Sequence, residues 1–128
     1  YTMPTLVEEL KKVEENKQQT KELEKAIKDL VMQPNVYDTL RKAASNRITA
    51  KTNGGFTRLE AKNYDPRLNR LGYTFCMEQP EQTKPMLTVH IDLLTDGADP
   101  YIEHYDSNQL TKEQVLQALE GVIGLDEE

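Results

Sequence analysis

His90, Asp92 and Glu103 are the residues whose types and spacing come nearest to chemistry in this chain. Met86 to Leu94 alternates, with Leu87, Val89, Ile91 and Leu93 on one side and Thr88, His90 and Asp92 on the other, the pattern of a half-buried strand. Thr95 to Pro100 is turn-forming, and Tyr101 to Tyr105 reads as the returning arm of a hairpin. Pairing Leu94 with Tyr101 sets Asp92 opposite Glu103 and His90 opposite Tyr105, which gathers an imidazole and two carboxylates on one face. Such a set could hold a divalent metal or work as an acid and a base. The same positions are also where an antiparallel sheet with one wet face carries its polar side chains. A one-residue slip in register would dissolve the cluster. The expectation is therefore a polar sheet face, with no catalytic residue, metal or cofactor assigned.

Other chemistry finds less support. Cys76 sits inside an apolar strand pattern, and Ser45 and Ser107 lack the sharp strand-to-helix elbow that exposes a nucleophilic hydroxyl. Gly54-Gly55 has neither the Lys-Ser/Thr ending nor the glycine spacing of a phosphate loop. Asp96, Gly97 and Asp99 hint at calcium, but an EF-hand needs more acids at regular spacing and a closing Glu, so the segment reads as a turn. His104 is expected on the core side of its strand.

Charge is the stronger signal. The net charge is −6, but it is segregated along the chain. Residues 1–40 are nearly balanced at −2, residues 41–70 carry +6, and residues 71–128 carry −10. The basic stretch interleaves Phe56, Tyr64 and Tyr73 with its cations, the minimum that single-stranded nucleic acid requires. Arg47, Lys51, Arg58, Lys62, Arg67, Arg70 and Phe56 are the candidates for that role. The same cations could instead neutralise the protein's own acidic half. In the complementary reading, Glu103, Asp106 and Glu120 present carboxylates to a partner protein with a basic surface. Because the acidic stretch outweighs the basic one, a protein partner is the leading expectation. Nucleic acid comes second, and a small metal-dependent enzyme using His90, Asp92 and Glu103 third.

The elements that must position these residues are legible from local signals. Thr5 and Glu8 form a capping box, and Leu6, Leu10 and Val13, then Leu23, Ile27, Leu30 and Val31, recur at helical spacing until Pro34. About 28 residues give a helix of about 42 Å, long for a chain of this size. Its two apolar patches flank a polar middle, Asn16 to Glu22. Leu6, Leu10, Val13, Leu23, Ile27 and Leu30 are accordingly candidates for self-association as a homodimer, packing on the protein's own sheet being the alternative. A second helix starts at Pro34 or Asn35. Residues 48–52 and 56–62 read as the arms of a hairpin about Asn53-Gly54 or, alternatively, as an extension of that helix. Leu71 to Met77 alternates as a strand, with Tyr73, Phe75 and Met77 on one side. Leu110, Thr111, Gln114 and Val115 combine a staple with a capping box, predicting a last helix over about 111–123. Strands gathered between helices indicate α+β, with an antiparallel sheet of about four to five strands.

At 128 residues the chain is read as one domain, 1–32 as the long helix and 33–128 as the body. Hydrophobic residues at 37% and charged residues at 30% leave it polar but foldable. A single cysteine forms no internal disulfide, so a reducing cytoplasm is the default. No apolar run approaches the ~18 residues that span a bilayer. Met3 is read as the natural start, and nothing functional is taken from Tyr1 and Thr2. In length, acidity and lack of catalytic motifs the chain is similar to small accessory proteins of phages and mobile elements, a likeness of composition only. The expected role is a non-enzymatic regulator or inhibitor, one that could act on a nucleic-acid-handling machine.

Overall fold

A computed structural model describes residues 5–61 and 71–124. The order is α1 (Leu6–Val31), α2 (Pro34–Ser45), β1 (Ala50–Thr52), a 3-10 turn (Asn53–Gly55), β2 (Thr57–Ala61), β3 (Leu71–Met77), β4 (Leu87–Leu94), β5 (Gly97–Tyr105) and α3 (Lys112–Gly124). The five strands form one antiparallel sheet in sequence order, an α+β arrangement with helices before and after the sheet.

Local chemistry starts α1 and α3 as the sequence predicts, and it fixes the end of α2, which the sequence leaves open. The Glu8 N–H donates to Thr5 Oγ1 at 3.2 Å and the Thr5 N–H to Glu8 Oε2 at 3.4 Å, closing the first capping box. Thr111 and Gln114 repeat it at the start of α3, at 2.8 and 3.2 Å. Helix α2 ends in a Schellman motif: the Arg47 N–H donates to the Ala44 carbonyl and the Ile48 N–H to that of Ala43. Arg47 therefore sits at φ +55°, where a side chain is crowded and glycine is not. Arg47→Gly is expected to raise stability by about 0.5 kcal/mol, left-handed strain relieved being partly offset by unfolded-state entropy. Urea titration of the two proteins checks the sign.

The long helix divides into two halves. Its carboxy-terminal Leu23, Ile27 and Val31 are fully buried, and Leu30 packs against the same core. They join Leu40, Ala43 and Ala44 of α2 and Val115, Leu119 and Val122 of α3 over one sheet face built from Leu59, Tyr73, Phe75, Val89, Ile91 and Leu93. Every residue from Thr5 to Gln19 is exposed, including Leu6, Val7, Leu10 and Val13. The expected self-association stripe is thus cut short. Leu23, Ile27 and Leu30 serve the protein's own core, because β5 and α2 lie within reach of that half of the helix.

Two expectations about strands need correction. Phe56 does not open the second arm of the β1–β2 hairpin. Asn53, Gly54 and Gly55 all adopt positive φ and lengthen the turn, so β2 begins at Thr57. The β4–β5 turn is shorter than six residues. Leu94 pairs with Gly97 across Thr95 and Asp96, so Asp92 faces Asp99 and His90 faces Tyr101, not Glu103 and Tyr105. A bulge then sets Thr88 opposite His104 while Val89 faces Ile102, which leaves Glu103 as the extra residue. The bulge carries His104 out to solvent, contrary to its expected place on the core side, and turns Tyr105 inward, where its hydroxyl donates to the Leu110 carbonyl.

β5 is an edge strand, and α1 closes it. The Ala98 N–H donates to Met32 Sδ at 3.0 Å and the Ile102 N–H to Glu24 Oε2 at 3.3 Å. Pro100, between them on the same side of the strand, has no N–H to offer. Gly97 lets the helix end come this close, since a Cβ there would lie 2.7 Å from Met32 Sδ.

Candidate functional site

The face of the sheet turned away from the three helices carries almost all of its polar side chains. Strand alternation sets Lys51, Arg58, Cys76, Thr88 and His104 in one row across it, and Glu60, Thr74, His90 and Tyr101 in the next. Asp92 and Asp99 follow beyond.

Arg58 dominates the β1–β3 side but is not free to bind phosphate. Its Nε donates to Glu60 Oε1 at 2.8 Å, its Nη2 to Glu78 Oε1 at 2.5 Å, and its Nη1 to the Gly55 carbonyl at 3.1 Å. The hydrogen bond it donates to Glu78, with Glu60 beside it, holds the guanidinium pKa above its ordinary value. A phosphate would have to displace two carboxylates from a charge-assisted fork. Of the other basic candidates, Arg47 is exposed at the end of α2, Lys51 is exposed beside Arg58, and Phe56 is half-buried at the turn. Lys62, Arg67 and Arg70 lie outside the described residues.

The β4–β5 side is acidic and aromatic. Tyr101, 63% exposed, stacks on the His90 ring with centroids 6.3 Å apart and planes 17° from parallel. His90 Nε2 lies 3.6 Å from Glu103 Oε2, so the predicted His–Glu neighbourhood forms, by a diagonal contact through the bulge. Asp92 is paired across from Asp99 instead. Among the described residues no three His, Cys, Asp or Glu side chains converge closely enough to hold a metal ion.

Cys76 is half-buried on this same polar face beside Thr88, and desolvation pushes its thiol pKa up, away from the thiolate that nucleophilic chemistry needs. Tyr105 is likewise raised, by burial first and by Glu113 second.

The acidic trio expected from sequence does not form one surface. Glu103 lies on the polar sheet face, whereas Glu120 is exposed on α3, which packs on the opposite face. Asp106 is occupied in its own turn, accepting the Asn108 N–H at 3.1 Å and Gln109 Nε2 at 2.6 Å. Asp99 and Tyr101 do join Glu103: Asp99 escaped notice because residues 95–100 read as a loop, and Tyr101 because the expected register set it opposite Leu94, away from His90. The signal that could have found them is Gly97, which suits the exit from a two-residue turn, and the alternation Asp99-Pro100-Tyr101 that follows.

Elsewhere, two shallow clefts of about 390 and 310 Å³ run between α1 and the β5–α3 connection, sharing Gln19 and Ser107. Their lining is mostly carboxamide, hydroxyl and charged groups, with no convergent chemistry. Among the described residues no helix is long and apolar enough to cross a membrane. No protein family, curated protein or solved structure matches this chain.

Proposed function

We propose that the protein is a non-catalytic interaction module that offers the β4–β5 part of its polar sheet face to a cationic segment of a partner protein. The observation that carries this is the exposed Tyr101, stacked on His90 and flanked by Asp99 and Glu103. An aromatic ring among carboxylates suits an arginine or lysine side chain, which gains cation–π and ionic contact together. Among the described residues of the face, Lys51 and Arg58 stand against Glu60, Glu78, Asp92, Asp99 and Glu103, so a polyanion meets net repulsion there. The closed β5 edge favours a partner lying across the face over one adding a strand. Occupying a basic surface in this way is how a small regulator or inhibitor would act, and self-association through the amino-terminal half of α1 completes the proposal.

An arginine-rich peptide titrated at 0.15 M salt and followed by amide chemical shifts is expected to perturb Asp99, Tyr101 and Glu103. Asp99→Lys with Glu103→Lys should weaken it at least tenfold, about 1.4 kcal/mol. Reversing Glu113 and Glu120 on α3 should change little, which separates this face from the overall acidity. Tighter binding of a single-stranded oligonucleotide, mapped to Arg47 and Lys51, would show the proposal to be wrong.

A further inference from the structure

Among the described residues, the amino-terminal half of α1 holds the main exposed apolar stripe: Leu6 is 72% exposed, Val7 62%, Leu10 54% and Val13 50%. The body meets this half on another side. Ser107 Oγ donates to Asn16 Oδ1 at 3.2 Å, and Lys12, Asn16 and Gln19 line the cleft there. At about 100° per residue, Leu6 and Leu10 lie about 80° or more round the helix from those residues and Val13 about 60° from Asn16, and all three stay at least half exposed, so the protein's own sheet does not cover them. Their spacing of four then three, continued by Lys17, is the seam of a helix pair.

We infer that this stripe pairs with the same stripe of a second copy, and that the two helices run antiparallel. Charge selects both the occupant and the direction. Between Thr5 and Gln19 the helix carries Glu8, Glu9, Glu14 and Glu15 against Lys11, Lys12 and Lys17, so a second copy meets little net repulsion. In a parallel pair Lys17 would stack on Lys17 across the seam and Glu9 would flank Glu14 of the other helix, both unfavourable. In an antiparallel pair with Leu10 against Val13, the stem of Lys17 covers Leu6, Glu9 lies beside Asn16, and those like-charge contacts vanish. The bodies then sit at opposite ends of the pair, clear of each other. About four turns of helix bury less than the ~800 Å² per partner of a standard interface, so the association is weak and concentration-dependent.

The test uses the full 128-residue chain. In sedimentation equilibrium the mass should climb from monomer towards dimer between about 10 µM and about 1 mM, the range a small interface implies. Leu10→Lys should hold it at monomer while leaving the urea midpoint unchanged, and Asp99→Lys with Glu103→Lys should leave the mass unaltered, which separates this inference from the proposed partner face. Direction is read by oxidative cross-linking in a Cys76→Ser background. Leu10→Cys mixed with Val13→Cys should give the cross-linked heterodimer, and each alone much less. A monomer throughout, a dimer indifferent to Leu10→Lys, or cross-links that favour like with like would each overturn the inference.

Discussion

Ile27→Ala should destabilise the protein by about 2–5 kcal/mol, whereas Leu10→Ala, on the same helix, should change stability by less than about 0.5 kcal/mol. Ile27 is fully buried among the residues that α1 presses onto the core, so truncation removes buried methyl groups and leaves a cavity that a rigid sheet cannot close. Leu10 is 54% exposed, and alanine there also improves helix propensity slightly. Against a total of ~5–15 kcal/mol for a domain, the first change is a large fraction of the whole. Urea unfolding at low protein concentration, where pairing is absent, measures both. Equal losses at the two positions would mean that the amino-terminal half packs on the body after all.

Arg41→Met should cost about 2 kcal/mol, because this arginine ties α2 to the far end of the sheet with charge-assisted bonds. Its Nη1 donates to the Leu93 carbonyl at 3.2 Å and the Leu94 carbonyl at 3.1 Å, and also meets the Tyr37 hydroxyl. Tyr37 donates to the same Leu94 carbonyl. Two donors on one acceptor make the pair interdependent: with Tyr37→Phe already in place, the loss at Arg41 should grow, since Leu94 would then lose both. A double-mutant cycle measured by urea unfolding reads that coupling. Strict additivity would show that the two side chains act separately. The expected loss also explains why the +6 charge of residues 41–70 overstates the cationic surface, since Arg41 and Arg58 both serve internal bonds.

The elements were legible where one local rule acts alone. Two capping boxes, Asn53-Gly54 and the alternation around Phe75 and Ile91 each depend on neighbours within a few residues, and each lies where the sequence places it. The candidate site was legible only in part, since it depends on register. Placing the turn at residues 95–100 displaced the β5 partners by four residues, an even number, so the polar face kept its side while the pairs on it changed. The bulge at Glu103 has no strong local signature, and through it His104 and Tyr105 exchanged faces. The two fates of the apolar stripe on α1 were likewise hidden. Leu6 and Ile27 look alike in sequence, and only the length of the sheet decides which of them finds a neighbour.

Glu24 and Met32 precede the strand they guard by well over sixty residues, Glu24 and Ile102 being 78 apart. During synthesis the amino-terminal segment emerges first, so the helix that shields the last strand is already outside the ribosome when β5 appears. The unpaired amides of an edge are a template for other chains, and here the interval in which they stand open is kept short by chain order. Removing α1 would therefore do more than thin the core. It would leave Ala98 and Ile102 to seek amide acceptors in neighbouring molecules, and the truncated protein should gather into β-rich aggregates.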